Sequence, residues 1–391
     1  MYLTKKEERV YDGESGWANQ VCMKILVRLG ELFGATRLIP ISNAHVSGVS
    51  YKTLGDAPMD FLEALAREGA KVKVKATLNP QSLDEEYICK RIPNELSQKQ
   101  LALLEIFGKM GFEQSFSCTP YYMEKPKCGS HLAWAESSAV VYANSIIGAW
   151  TNREGGPSAL AAAIIGKTPD YGVHKEENRQ PQVLVNLESS LKNDVDFGAL
   201  GTFLGKILED KIPVIKGLNG ASREQLKHFG AALASSGMVN MFHLWNENTK
   251  FEKLEKISVE ATDISQTAEN LSTAETQKPD LIFIGCPHCS LNEIKQIAEL
   301  IGNRKVKEGV ELWICTSKHI KEKAGKTAEK IEKSGAHIIT GTCAVVTWTE
   351  KLGIKTIMTN SAKTAYYAPT MNKAKTTFTT LKHCLETALK G

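Results

Sequence analysis

From about residue 200 the chain alternates short apolar runs with amphipathic stretches, and this alternation constrains the fold more than any other feature. Pro213-Val214-Ile215, Leu281-Ile282-Phe283-Ile284, Leu312-Trp313-Ile314-Cys315 and Ile338-Ile339-Thr340 read as strands. Ser222 to Ser236, Leu291 to Leu300 and Lys318 to Ser334 read as helices, the first with Ser222 as its cap. Strands separated by helices are joined by crossovers, so they lie parallel in a sheet covered on both faces. The polar stretch from Glu260 to Lys278 is either an exposed helix or the loosest connection in this half.

The first third follows a less regular grammar. Thr4 and Glu7 have the spacing of a capping box. Ala18 to Phe33 reads as a helix, with Val21, Ile25, Leu29 and Leu32 at helical spacing and a stop at Gly34. Leu38-Ile39-Pro40-Ile41 reads as a short strand entering a loop from Asn43 to Ser50. Phe61 to Glu68 is a helix ended by Gly69, and Val72 to Ala76 alternates as a strand before Asn79-Pro80. The Ala-, Ser- and Gly-rich segment from Gly129 to Gly166 suits tightly packed helices near the middle of the molecule. The expected division is a portion over 1–200 and a second over 201–391 that holds the parallel sheet.

Composition excludes several classes. The 391 residues suffice for a large core and two or three lobes. A net charge of +4, with basic residues dispersed along the chain, argues against a nucleic-acid surface. No apolar run approaches the ~18 residues of a membrane helix. The start, Met1 to Glu8, has no apolar segment of the signal-peptide kind, so the expected location is cytoplasmic. In that setting nine cysteines do not form a disulfide framework, and each is a small core residue or a ligand.

In open parallel sheets, ligands bind beyond the carboxyl ends of the strands. Cys286 follows the strand at 281–284 and Cys343 the strand at 338–340, each shortly after a glycine that allows close approach of a bulky ligand. Either cysteine alone is compatible with simple packing, whereas two such placements point to a shared ligand. Cys286-Pro287-His288-Cys289 also has zinc and thiol–disulfide readings, but it lacks the second pair that a zinc site needs. Cys118 stands in a loop-like stretch, Phe116 to Tyr122. Three thiolates holding an iron–sulfur cluster would leave one iron open as a Lewis acid, as a hydro-lyase requires. Ser47-Gly48-Val49-Ser50 is either an anion-binding nest or an ordinary turn. Glu136, in the apolar run from Ala133 to Ile147, is either paired or liganded for function, or a cap. Lys363, judged alone, reads as a solvated lysine in a polar loop.

Taken together, these segments resemble the aconitase X family. The resemblance rests on His45-Val46-Ser47-Gly48-Val49-Ser50-Tyr51, Thr77-Leu78-Asn79-Pro80, Cys118-Thr119-Pro120-Tyr121 and Glu136-Ser137-Ser138 through Ser145. It continues with Gly285-Cys286-Pro287-His288, Gly341-Thr342-Cys343-Ala344 and Asn360-Ser361-Ala362-Lys363. It spans nearly the whole chain in consistent order. It implies an aconitase-like, multi-lobed α/β architecture with parallel, helix-covered sheets and a cluster site in the central cleft. It also implies an iron–sulfur cluster, of the [4Fe-4S] type, held by Cys118, Cys286 and Cys343, with Cys289 outside the pattern. Substrate contacts are implied at Gly48, Val49, Ser50, Asn79, Pro80, Glu136, Ser137 and Lys363. Family members carry a small swivelling domain, fused or as a separate subunit. This sequence ends soon after Lys363, so the expectation is a heterodimer whose small partner carries the general-base serine. That split form resembles the archaeal branch, which dehydrates (R)-mevalonate 5-phosphate to trans-anhydromevalonate 5-phosphate. The alternatives are the branch acting on cis-3-hydroxy-L-proline and a non-catalytic iron–sulfur or zinc protein.

Overall fold

The computed structural model describes residues 1–84, 86–247, 254–274 and 278–390. The first segment runs α1 (Lys5–Tyr11), α2 (Trp17–Leu32), β1 (Leu38–Pro40), β2 (Asn43–Val46), α3 (Tyr51–Leu54), α4 (Asp56–Arg67), β3 (Lys75–Leu78) and α5 (Asn94–Lys109). It continues with β4 (Leu132–Trp134), α6 (Ser137–Tyr142), α7 (Gly156–Ile165) and β5 (Lys167–Pro169). Strands β3, β2 and β4 form a parallel sheet in that order, while β1 and β5 pair antiparallel beside it. The Ala-rich sequence of α7 is buried from Ser158 to Ile165, which explains its lack of a polar face.

Three expectations for this segment are corrected. The stretch from Asn43 to Ser50 is not all loop, because Asn43–Val46 is the central strand of its sheet. Its polar residues are satisfied by neighbours: Trp134 Nε1 donates to Asn43 Oδ1 at 2.7 Å, and His45 Nδ1 meets Thr77 Oγ1 at 2.8 Å. The strand expected over Val72 to Ala76 lies instead at Lys75–Leu78, where it pairs with β2. Helix α2 buries Ala18, Cys22, Met23, Leu26, Val27 and Gly30, one position round from the expected stripe, and leaves Leu32 exposed. Small residues on that face let α7 pack closely, a preference that side-chain size alone obscures.

The second segment runs β6 (Val183–Leu187), α8 (Asp194–Leu208), β7 (Pro213–Lys216), α9 (Arg223–Ser236), β8 (His243–Leu244), β9 (Glu255–Val259) and α10 (Ala261–Asn270). Its strands lie parallel in the order β8-β7-β6-β9. Ser222 caps α9 through a capping box with Gln225. Of the polar stretch 260–278, α10 accounts for the first part, and 275–277 lie outside the described residues.

The third segment runs β10 (Leu281–Ile284), α11 (Leu291–Ile301), β11 (Glu311–Thr316), α12 (Lys318–Ala324), α13 (Lys326–Lys333), β12 (His337–Thr340), β13 (Thr356–Thr359), α14 (Ala362–Met371), β14 (Lys375–Phe378) and α15 (Leu381–Ala388). The sheet is parallel throughout, in the order β12-β11-β10-β13-β14. Both faces are covered, and side-chain alternation sorts them. Ile282, Ile284, Leu312, Ile314 and Ile338 face α11, α13 and α15, whereas Leu281, Phe283, Trp313, Cys315 and Ile339 face Leu83, Ile88 and Trp348. The helix expected over Lys318 to Ser334 breaks at Gly325, which adopts a positive φ of 45°. The α/β class with parallel, helix-covered sheets is as expected.

Candidate functional site

Two of the parallel sheets direct their carboxyl ends into one cleft of about 400 Å³. From the first sheet, β2 leads into residues 47–50, β3 into Asn79-Pro80 and β4 into Glu136 and Ser137. From the third, β10 leads to Cys286, β12 to Cys343 and β13 to Lys363. In the third sheet the order reverses beside β10: β11 and β12 lie on one side, β13 and β14 on the other. That is the place where open α/β sheets form a binding crevice. Cys118 arrives by another route, on a chain whose Ser117 N–H donates to Leu78 O at 3.0 Å beside β3.

Cys118, Cys286 and Cys343 all line this cleft, together with Gly48, Val49, Ser50, Asn79, Pro80, Glu136, Ser137 and Lys363. The fold therefore brings every one of the expected site residues to one cavity. Cys289 and Cys315 pack in apolar clusters instead. Gly285 has a reason different from the one expected. It lies at φ +109°, and a Cβ there would meet Cys315 O at 2.3 Å, so the glycine serves close approach of the adjacent strand.

Lys363 is not a solvated loop residue. It is the second residue of α14, its side chain is 12% exposed, and Nζ donates to Glu136 Oε1 in a mostly buried ion pair. Glu136 also accepts from Asn79 Nδ2 at 2.9 Å and Ser138 Oγ at 2.9 Å, and its oxygen caps α6. Both readings of Glu136, cap and charged partner, thus hold at once. Burial raises the Glu136 carboxyl, but Lys363 and these donors outweigh it and bring the pKa to about 2. The network continues from Asn79 Oδ1 to His45 Nε2 at 3.4 Å. His45 is 0% exposed, and burial lowers its pKa to about 4.

The loop at 47–50 carries two kinds of information. Gly48 has φ +82°, and the N–H groups of Gly48, Val49 and Ser50 donate to no acceptor among the described residues, an arrangement suited to an anion. The Ser50 hydroxyl, by contrast, is committed: it donates to Val346 O at 2.8 Å and lies 2.6 Å from Ser82 Oγ. It ties the 47–50 loop to the Cys343 loop. Arg153 also lines the cleft, its Nη1 donating to Gly237 O at 2.9 Å. No motif surrounds Arg153 in the sequence, and His45, although it opens a segment of the resemblance, carries no role there.

The donor chemistry suits an iron–sulfur group. Burial pushes the thiols of Cys118, Cys286 and Cys343 up, the last to about 12, so without a cation each is a neutral thiol. Lys363 acts in the opposite sense on all three. Among the described residues no three His, Cys, Asp or Glu side chains converge as ligands of one metal ion. A cluster makes no such demand, because each thiolate binds a different iron.

Comparison with known proteins agrees with this geometry. The family models described as the first, second and third domains of aconitase X match residues 1–177, 181–269 and 279–390. The phosphomevalonate dehydratase large subunit of Methanocaldococcus jannaschii is 46% identical, covering 99% of this chain and 100% of that protein. A more distant relative, cis-3-hydroxy-L-proline dehydratase of Pseudomonas aeruginosa, is 34% identical over 98% of this chain and 69% of its own. The crystal structure of aconitase X from Thermococcus kodakaraensis in its holo-form superposes with a TM-score of 0.92 at 42% identity, covering 99% of this chain and 100% of that one. With three domain models in sequence and a full-length structural match, this chain belongs to the aconitase X family.

Proposed function

We propose that this chain is the large, catalytic subunit of a hydro-lyase that removes water from (R)-mevalonate 5-phosphate to give trans-anhydromevalonate 5-phosphate. The observation that carries the reading is the convergence, in one cleft, of three buried thiols, a mostly buried lysine and the 48–50 loop, whose amides donate to no acceptor among the described residues. The names of the archaeal relatives support the substrate and, through the words large subunit, a small partner.

Cys118, Cys286 and Cys343 would hold the cluster, which when bound supplies Lewis acidity to the departing hydroxyl group. The amides of Gly48, Val49 and Ser50, with Arg153, present donors for the phosphate. Lys363 has three N–H donors and uses one on Glu136, so the others remain to orient the substrate carboxylate. Asn79 and Ser137 complete the polar wall, and Pro80 is buried beside them. Glu136 holds Lys363 and Asn79 in position. The proton leaves to a serine of the small subunit, which closes the open side of the cleft. Among the described residues no helix is long and apolar enough to cross a bilayer.

The test is a dehydratase assay of the anaerobically reconstituted chain with and without the small subunit, on both mevalonate 5-phosphate and cis-3-hydroxy-L-proline. Turnover of the phosphorylated acid by the complex alone is expected. Activity on hydroxyproline only would reassign the substrate, and full activity of the isolated chain would remove the partner from the mechanism.

A further inference from the structure

His288 stands behind the cleft, on the loop that carries Cys286, and the catalytic reading leaves it unused. It lies two residues beyond Cys286 and is 0% exposed. Its backbone N–H donates to Cys118 Sγ at 3.2 Å. Its ring reaches the remaining loop: Nε2 lies 3.0 Å from the carbonyl oxygen of Thr342, the residue before Cys343. The other ring nitrogen, Nδ1, lies 3.3 Å from the hydroxyl of Ser117, the residue before Cys118. A carbonyl only accepts, so Nε2 carries the proton and Nδ1 accepts from Ser117; the tautomer is assigned from these partners.

A histidine serving general packing would bond wherever the core left a polar group. Here every hydrogen bond of the residue's ring and N–H ends on a cysteine or on the residue preceding one. The His288 carbonyl in turn accepts from Lys227 Nζ at 3.2 Å. Lys227 on α9 is ion-paired with Glu293 in the first turn of α11, which itself begins just after Cys289. The second segment thereby braces the loop from outside.

We propose that His288 is a positioning residue that holds the three cysteine loops in register, so that Cys118, Cys286 and Cys343 face the cleft together. This rests on the reading of those cysteines as cluster ligands. Physically, loops from three distant parts of the chain keep their mutual spacing only if something shared by all of them resists local opening, and a satisfied buried hub does so. Outer contacts of this kind orient ligands, and their loss typically weakens metal binding by about 10–100-fold.

The experiment uses the full chain with His288→Phe, which keeps the ring's shape without its hydrogen bonds, and His288→Gln, which restores a donor towards Thr342. Ser117→Ala removes one bond and leaves the ring. In the first arm no iron is added, and the rate of iodoacetamide modification of each cysteine is followed by mass spectrometry. Exposed Cys128 and core Cys22 serve as the fast and slow references. In His288→Phe, Cys118, Cys286 and Cys343 should react about tenfold faster, with Cys22 unchanged. His288→Gln should fall between the two, and Ser117→Ala should shift Cys118 by less. In the second arm the wild-type chain and variants are reconstituted with ferrous iron and sulfide, and cluster absorbance is followed after adding a chelator. Loss should be about 10–100-fold faster in His288→Phe and slower again in His288→Gln.

Wild-type rates for His288→Phe in both arms, on a folded chain, would overturn the proposal while leaving the ligand reading intact. A wild-type chain that takes up no iron and sulfide would overturn the ligand reading instead, and the first arm would still decide whether His288 locks the three thiols. If His288→Phe fails to fold, an unchanged Cys118 rate in Ser117→Ala counts against the hub.

Discussion

The carboxyl ends of the first and third sheets and those of the middle sheet obey the same topological rule, yet the crevices they form gather different side chains. The middle sheet ends in a crevice of about 510 Å³, larger than the cysteine-lined cleft, lined by Asn186, Glu188, Lys216 and Trp245 among others. There the charged groups are solvated: Lys216 is exposed over the Trp245 ring at 4.9 Å, and Glu188 is exposed and accepts from Ser258 Oγ. In the cleft the corresponding charges, Lys363 and Glu136, are mostly buried and paired. Parallel strands make crevices wherever they end. What turns one into a site is the removal of water from groups that then depend on one another, since charge interactions grow as the local dielectric falls.

The largest expected effect that sharpens this contrast is at the thiols. Cys118→Ala, Cys286→Ala and Cys343→Ala should each abolish cluster absorbance after reconstitution, while Cys289→Ala, packed in an apolar cluster, should retain it. Absorbance that survived Cys343→Ala and vanished with Cys289→Ala would replace the ligand set.

Next in size is Lys363→Ala. It strands Glu136, whose burial then lacks its cation, and removes a donor from the cleft. Substrate binding or turnover should weaken by roughly 2–5 kcal/mol with the cluster spectrum intact. Unchanged kinetics would make this buried pair as dispensable as the exposed charges of the middle sheet, and the contrast would collapse.

A smaller effect is expected from Gly48→Val. A Cβ at Gly48 would meet Leu54 Cδ1 at 3.5 Å, an ordinary contact, so the cost comes from φ +82° rather than from crowding. That strain is about 1–2 kcal/mol, and relief of it would turn the free amides away from the cleft. Substrate affinity, measured calorimetrically in the reconstituted complex, should fall without loss of cluster.

The smallest effect belongs to the other crevice. Lys216→Ala and Glu188→Gln should change stability by less than about 0.5 kcal/mol and leave kcat/KM untouched. A substantial loss of activity in either would show that the middle sheet takes part in function.

Much of this architecture was legible along the chain. The strands at 281–284 and 312–315 announced themselves because a central strand buried on both faces must be apolar throughout, the edge strand at 338–340 through its two buried isoleucines, and caps such as Ser222 are set by neighbours three residues away. The strand-end placement of Cys286 and Cys343 followed from the same local pattern. Strand β2 was hidden because Asn43 and His45 are polar, and their partners Trp134 and Thr77 lie on other strands. Lys363 looked solvated for a similar reason: its carboxylate partner follows a strand of another sheet.

Periodicity, caps and strand ends are properties of a few consecutive residues, so they can be read from the order of amino acids. Which thiols share a cavity, which hydroxyl is already spent, as Ser50 is on Val346, and which histidine joins three loops are properties of groups tens to hundreds of residues apart. Those relations exist only once packing has brought distant segments together and excluded the water that would otherwise satisfy each group separately.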